Sequence, residues 1–481
     1  MLSTGLVALD STIIATAVPS VVHDLGGFSQ YPWLFSTYLL TQAVTVPLYG
    51  KLADVLGRRP VMFFGIGIFL LGSLLCGVSW NMPSLIVFRA LQGIGAGAVQ
   101  PMSMTVVGDL YSVSERSRVQ GYLASVWGVA SVLGPTLGGL FSQYLTWRLI
   151  FIVNLPLGAL ACWVLVRHFH EGITRRRHRV DFAGVALLSC GCSVVLVGLI
   201  EGGTAWPWLS LSSLLVGATG MTMLIAFGVV ESRATEPILP LWAFRQRTIA
   251  GACGAGFGVG ALLIGLSAYI PTYVQGTLGA SALVAGFTVA SLNVGWPLAA
   301  TVAGRIYLRI GFRDTALIGA AILVAGTLLY NLLTERAGIA EVAGAGFVVG
   351  AGMGLVASPT LVAVQSVVSW GRRGVVTGAY MFARSLGSAA GAAVFGAVAK
   401  AGLAGSLRGS GRPSTPGALD AATSALSGGG GNPHATPAYL REALYQASHA
   451  VFLTLVVVAA VVGVAVLIVP RRTRALVFDR D

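Results

Sequence analysis

Asp10 is the one acid in an apolar run that reaches from Leu2 to Val22. A carboxylate at membrane depth is expensive, so a side chain kept there is a functional hypothesis by default. It could take up a proton or hold a cation; the alternative is a carboxylate hydrogen-bonded for packing. At the helical rise it would stand about 12 Å up its helix, with Thr12 and Thr16 as neighbours. A second charge, Arg89, lies in "FRALQGIGAG", followed by Gln92, Gly93, Gly95 and Gly97. Either it takes part in the chemistry or backbone carbonyls satisfy it.

The third group is "GKLADVLGRRP", Gly50–Pro60, where four charges crowd into a chain that is only 10% charged. Lys51, Arg58 and Arg59 would serve as a positive anchor on one side of a membrane. Asp54 would not, since acids contribute little to orientation. Four residues before Arg58, it can pair with that arginine and still reach the amino end of a neighbouring helix. Gly50 permits a close helix approach, and Gly57 permits a tight exit at positive φ. These are the parts of a polar latch.

Helices must carry these groups. The chain has 481 residues, 55% of them hydrophobic, and a mean hydropathy of +0.82. A soluble protein would be about a quarter charged. Fourteen apolar runs can each cross about 30 Å of hydrocarbon. They cover 2–22, 34–56, 60–79, 84–108, 118–141, 149–168, 182–200, 209–230, 248–271, 283–306, 314–333, 338–362, 374–399 and 449–470. The reading is an all-α polytopic membrane protein with 14 transmembrane helices. The links after even-numbered runs hold sixteen Lys and Arg, against six in and beside the links after odd-numbered runs. Both termini are therefore expected in the cytoplasm. The Gly- and Ser-rich stretch 401–448 reads as a mobile external loop.

The net charge of +13 sits in short links and forms no patch, which argues against nucleic acid as a partner. The five cysteines fall in apolar runs and imply no disulfide framework. None of the six histidines shares a run with an acid or a second histidine at helical spacing. No metal, cofactor or nucleotide loop is expected, so any work would draw on an ion gradient. This weighs against a membrane-embedded enzyme. A non-transporting sensor would not need Arg89 or Asp10 in the bilayer.

Gly50-x-Leu52-Ala53-Asp54-x-x-Gly57-Arg58-Arg59 resembles the cytoplasmic signature loop of the major facilitator superfamily, although Val55 stands where that family often has a basic residue. In the family this loop ties the two bundles together and favours the outward-open state. The Arg89 stretch resembles a span-4 motif associated with proton coupling. "WGVASVLGPTLGG" (Trp127–Gly139), with Gly128, Gly134, Pro135, Gly138 and Gly139, is similar to the antiporter motif of proton-driven exporters. "LDSTIIATAVP" (Leu9–Pro19), "WRLIFIVNLPLG" (Trp147–Gly158), "VDFAG" (Val180–Gly184, Asp181 as N-cap) and "RSLGSAAG" (Arg384–Gly391) resemble the fourteen-span drug/proton antiporter branch.

The resemblance implies two six-helix bundles plus two inserted helices. An amino-terminal bundle would take 1–168, the insert with its basic link 169–247, a carboxy-terminal bundle 248–470, and a basic tail 471–481. It implies a monomer of a bacterial inner membrane that exports hydrophobic, cationic drugs in exchange for protons. Export of a lipid or a dedicated metabolite is the alternative. Trp33, Trp127, Tyr269, Tyr273 and Trp296 could line an apolar cavity or pack and anchor at the interface. Arg384 is the clear charge deep in the second bundle, able to orient an anionic group or satisfy broken backbone. No acid like Asp10 lies there, which weighs against doubly charged drugs. The second-half counterpart of the signature loop, "GRIYLRIGFR" (Gly304–Arg313), lacks the acid.

Asp109 is expected to pair with Arg116 or Arg118, and Glu201 to cap an interface. The first run starts with no polar lead-in. A natural product beginning upstream of Met1 is therefore the expectation, against a short helix tolerated by tilt and thinning.

Overall fold

The computed structural model describes residues 1–26, 30, 32–169, 182–202, 206–207, 210–234, 241–409 and 438–471. Asp181, His178, His434 and the arginines 175–177, 179, 412, 472, 474 and 480 lie outside the described residues. So do the side chains of Thr16, Pro135 and Glu201, whose backbones are helical.

The described residues form sixteen α-helices and one 3₁₀ turn. They are α1 (Leu2–Leu25), α2 (Pro32–Leu56), α3 (Arg58–Gly77), α4 (Met82–Leu110), α5 (Val113–Tyr144), α6 (Leu149–Ile152), α7 (Asn154–His168) and α8 (Phe182–Glu201). There follow α9 (Leu211–Arg233), α10 (Leu241–Arg245), α11 (Arg247–Gly276), α12 (Ala282–Ile310), α13 (Phe312–Asn331) and α14 (Ile339–Ser366). After the 3₁₀ turn Trp370–Arg372 come α15 (Arg373–Gly409) and α16 (Ala438–Ile468). Among the described residues ten helices are long and apolar enough to cross a membrane, with α6 and α7 counted as one. Shorter apolar stretches, Leu2–Ile14 and Ala183–Val195, lie in α1 and α8.

Helix breaks have local causes. Gly57 (φ 100°) joins α2 to α3 and Gly311 (φ 93°) joins α12 to α13, each a single residue in a region that disfavours other side chains. Between α6 and α7 the helix breaks at Val153. Pro156 has no N–H to offer the Ile152 carbonyl, and its ring crowds that oxygen. The sequence reading ran straight through this break. At their ends the helices outrun the apolar runs because polar first turns can be capped. Asn81 caps α4 through a 2.8 Å bond to the Ser84 N–H, and Ser112 with Glu115 forms a capping box on α5. The expected external loop is shortened at both ends, since α15 continues to Gly409 and α16 begins at Ala438; 410–437 lies outside the described residues.

The chain divides into two compact units. Unit 1 holds 1–253 together with 361–382; unit 2 holds 254–360 and 383–471. The start of α15 thus belongs to unit 1, as do α8 and α9.

Within unit 1, α4 packs along both α2 and α3, and α1 along α5. Glycines make the α4 approach possible. A Cβ on Gly93 would run into the Thr41 hydroxyl and the Tyr38 carbonyl of α2. That hydroxyl also crosses to the Ala90 carbonyl of α4 at 2.9 Å. Gly93→Val is therefore expected to lower stability by roughly 1–3 kcal/mol through overpacking. A thermal unfolding midpoint equal to that of the unaltered protein would contradict it.

In unit 2, α13 lies against α16 around Tyr273, Tyr330, Phe395 and Phe452. From Ala450 on, helix α16 is apolar on every side apart from Thr454. Leu455, Ala459, Val462 and Val466 are buried while Leu453, Val457, Val461 and Val464 are exposed. A helix apolar all round with half its surface uncovered is one that faces lipid.

Candidate functional site

Five elements of unit 1 converge on one polar cluster. Asp10 comes from α1, Tyr38 from α2, Ser73 and Cys76 from α3, Arg89 and Gln92 from α4, and Asn154 from the first turn of α7. Arg89 and Gln92 are three residues apart and so share a helix face. Asp10 and Arg89 are each 1% exposed, and Gln92, Ser73 and Asn154 are fully buried.

The bonds are specific. Arg89 Nη1 meets Asp10 Oδ2 at 2.7 Å and also donates to Gln92 Oε1 at 2.6 Å. Asp10 Oδ1 accepts from Gln92 Nε2 (2.8 Å) and from Asn154 Nδ2 (2.9 Å). Both amides donate in addition to Ser73 Oγ, at 2.7 and 2.9 Å. Arg89 Nε reaches the Leu34 carbonyl at 3.3 Å, and the guanidinium lies 4.1 Å above the Tyr38 ring. Both readings of Arg89 are thus present in part: one nitrogen rests on backbone, another on the carboxylate. In a low-dielectric interior such a pair is tolerable because it is mutual and Arg89 Nε and Nη1 find further acceptors in the Leu34 carbonyl and Gln92 Oε1.

The sequence reading selected Asp10, Arg89 and Gln92 but passed over Ser73, Tyr38 and Asn154. Asn154 stood inside the quoted "WRLIFIVNLPLG". A buried amide in an apolar run is itself a signal, and its partner 144 residues away is what the sequence hides.

Thr12 does not join this cluster. Its hydroxyl turns to α5 and donates to the Ala130 carbonyl at 2.9 Å, against Gly134, where a Cβ would collide with it. Gly138 is buried and Gly139 has open space beside it; Gly128 and Trp127 are half-buried on the same helix. In unit 2, Trp296 on α12 is half-buried against the core. The backbone of Arg384 on α15 closes on Gly260, and Ser388 Oγ ties the two by bonding Gly260 O at 3.0 Å and Arg384 O at 3.2 Å.

A second cluster in unit 1 forms around Gly50–Arg58. The two Asp54 oxygens accept the backbone N–H groups of Gly374 (2.9 Å) and Val375 (2.8 Å). Those are first-turn amides of α15, which lack partners within their own helix and favour an anion. Gly50 admits this contact: its Cβ would stand 2.7 Å from the Gly374 carbonyl oxygen. Arg58 pairs with Asp54 at 3.1 Å and with Asp109 at 3.0 Å, donates to the Trp370 carbonyl at 2.7 Å, and stacks on that indole. Asp109 is completed by Arg373 at 3.1 Å. This corrects the expected partners of Asp109. Arg116 Nε turns to the Tyr111 carbonyl at 3.0 Å instead. Arg59 lies at the edge, reaching the Val166 carbonyl at 3.4 Å.

At the other end of the unit 1 helices, Asp24 accepts from Arg148 (2.6 Å) and the Trp147 indole (3.0 Å). These donors hold its carboxyl below the usual carboxylate range. The second-half joint at Gly311 has an acid close by, though not at the place that corresponds to Asp54. Asp314, just beyond the quoted "GRIYLRIGFR", pairs with Arg471 at 3.2 Å on the surface of unit 2.

Comparison with known proteins adds the following. A family model described as Major Facilitator Superfamily matches residues 1–392. The multidrug transporter protein MdtP of Bacillus subtilis is 36% identical over 408 residues, 83% of this chain and 75% of that protein. Multidrug resistance protein 3 of the same organism is 35% identical over 327 residues, 68% of this chain and 64% of that protein. The crystal structure of the human organic anion transporter MFSD10 (TETRAN) aligns with a TM-score of 0.58 at 17% identity. The alignment covers 95% of this chain and 97% of the other. At that identity the likeness is one of fold.

Proposed function

This chain belongs to the Major Facilitator Superfamily, and on that footing we propose that it is a proton-coupled efflux transporter for hydrophobic, cationic compounds. That it is a multi-pass membrane transporter and not an enzyme follows from the family. Drug efflux is supported by the multidrug transporters among its relatives.

The observation that carries proton coupling is the buried Asp10–Arg89 pair. While Asp10 is ionised the two charges compensate each other. A proton on Asp10 removes that compensation and leaves a cation almost without water, which is unfavourable. An organic cation that takes Asp10 as its partner imposes the same change on Arg89. Proton and substrate therefore compete for one carboxylate, which is the requirement for exchange. Throughout, Gln92 Oε1 and the Leu34 carbonyl keep hold of Arg89. Asp54, Arg58 and Asp109 act in this reading as a latch on the start of α15, which runs on into unit 2.

Fourteen spans are proposed: α1 to α5, α6 with α7 as one, α8, α9, and α11 to α16. The excess of Lys and Arg in the even-numbered links supports both termini in the cytoplasm of a bacterial inner membrane. A monomer is the proposed state.

The test is transport of a fluorescent organic cation by the protein in sealed liposomes. Accumulation is expected only with an imposed pH gradient and should collapse when an ionophore dissipates it. Equal transport with and without the gradient would reject proton coupling.

A further inference from the structure

We propose that the Asn154 side-chain amide is a positioning residue whose orientation reverses with the protonation of Asp10, carrying the proton state of α1 to α3 and α7. It rests on the reading that Asp10 takes up the transported proton.

The hydrogen-bond inventory leads there. Gln92 uses both halves of its amide: Nε2 donates to Asp10 and Ser73, while Oε1 accepts from Arg89 and lies 4.0 Å from the Cys76 sulfur. Asn154 uses only one half. Nδ2 donates to Asp10 Oδ1 and to Ser73 Oγ, both at 2.9 Å, but Oδ1 is buried and has no partner. With Asp10 ionised this orientation is forced, because the turned amide would set its oxygen against a carboxylate oxygen. With a proton on Asp10 Oδ1 the polarity inverts. The acid now needs an acceptor, and Gln92 Oε1 is committed to Arg89.

A half-turn about the Asn154 Cβ–Cγ bond puts Oδ1 where Nδ2 stood. There it accepts from the Asp10 acid and from the Ser73 hydroxyl, which can rotate to donate. The amide's two ends are nearly equal in size and this torsion is roughly two-fold, so the turn leaves the packing intact. One end of the amide stays unpaired in either orientation. That penalty is common to both, and the choice between them is left to Asp10. The titratable groups facing Asp10 are Arg89 from α4, Tyr38 from α2 and Cys76 from α3; α7 contributes the neutral amide of Asn154.

Infrared difference spectra of the full-length protein in lipid, recorded between high and low pH, read both groups. A protonated-carboxyl band that Asp10→Asn removes is expected. Asparagine-specific isotope labelling should show a side-chain amide band shifting in the same step. In Asn154→Leu the carboxyl band should move to the higher frequency of an unbonded acid. Proton-driven efflux should then fall about tenfold, the loss of one hydrogen bond to an ionisable group. An Asp10-dependent band that Asn154→Leu leaves unmoved, with no asparagine band in the wild type, overturns the inference alone. Absence of any Asp10-dependent band overturns the proton assignment and this inference with it. The labelled wild type decides the matter even if the variant does not accumulate.

Discussion

Asp10→Asn is expected to reduce proton-driven efflux to the level of protein-free liposomes while the protein still accumulates in the membrane. Asparagine nearly matches the shape of aspartate but cannot exchange a proton near neutral pH. Its charge is also missing, and leaving one member of a buried pair uncompensated costs roughly 3–5 kcal/mol. Arg89 keeps Gln92 Oε1, the Leu34 carbonyl and the Tyr38 ring, so the cost should appear as a lowered unfolding temperature. The double variant Asp10→Asn/Arg89→Gln separates the two effects. Neutralising both partners should return most of the stability and none of the transport. Efflux at the wild-type rate in Asp10→Asn would defeat the assignment outright.

Asp54→Asn is expected to release the start of α15 and slow turnover with equilibrium substrate affinity little changed. Asparagine keeps one acceptor oxygen for the Gly374 and Val375 amides and loses the charge that pairs with Arg58. A hydrogen bond involving a charged group contributes about 1.5–3 kcal/mol. Losing about 2 kcal/mol shifts a two-state equilibrium by roughly thirtyfold. The measurement is labelling of single cysteines placed along the helix ends nearest Asp54, in a background lacking the five native ones. Labelling should rise at those ends. Asp24→Asn, which breaks the pair with Arg148 at the opposite end of unit 1, should leave that pattern alone. An unchanged pattern at full activity in Asp54→Asn would remove the latch from the account.

Much of this architecture was legible in the chain because its causes are local. Hydrocarbon thickness demands about twenty apolar residues per crossing, and every run read from the sequence is helical over most of its described residues, the break at Val153 and a few run ends apart. Gly57 at φ 100° is likewise a local matter, since one residue must turn the chain between α2 and α3. The chemistry-bearing residues stood out for the same reason. Asp10, Arg89 and Asp54 are charges where charge is costly, and cost is visible without partners.

What those charges do to one another was not visible. Asp10 and Arg89 are 79 residues apart, Asp10 and Asn154 144, and Asp54 and the Gly374 amide 320. A hydrogen bond is decided by distance and angle within a few tenths of an ångström, and no spacing in the chain encodes that for residues on different helices. The reading of Asp109 went wrong on this point: it chose arginines near in sequence, and the packing of α4 against α3 and α15 brought Arg58 and Arg373 instead. The single apolar run 149–168 hid a break, because hydropathy does not register that Pro156 lacks an N–H. Composition, crossing segments and the costly side chains were properties of the sequence alone. Pairing and the amide's unused oxygen were settled by tertiary structure, where groups distant along the chain must satisfy one another without water.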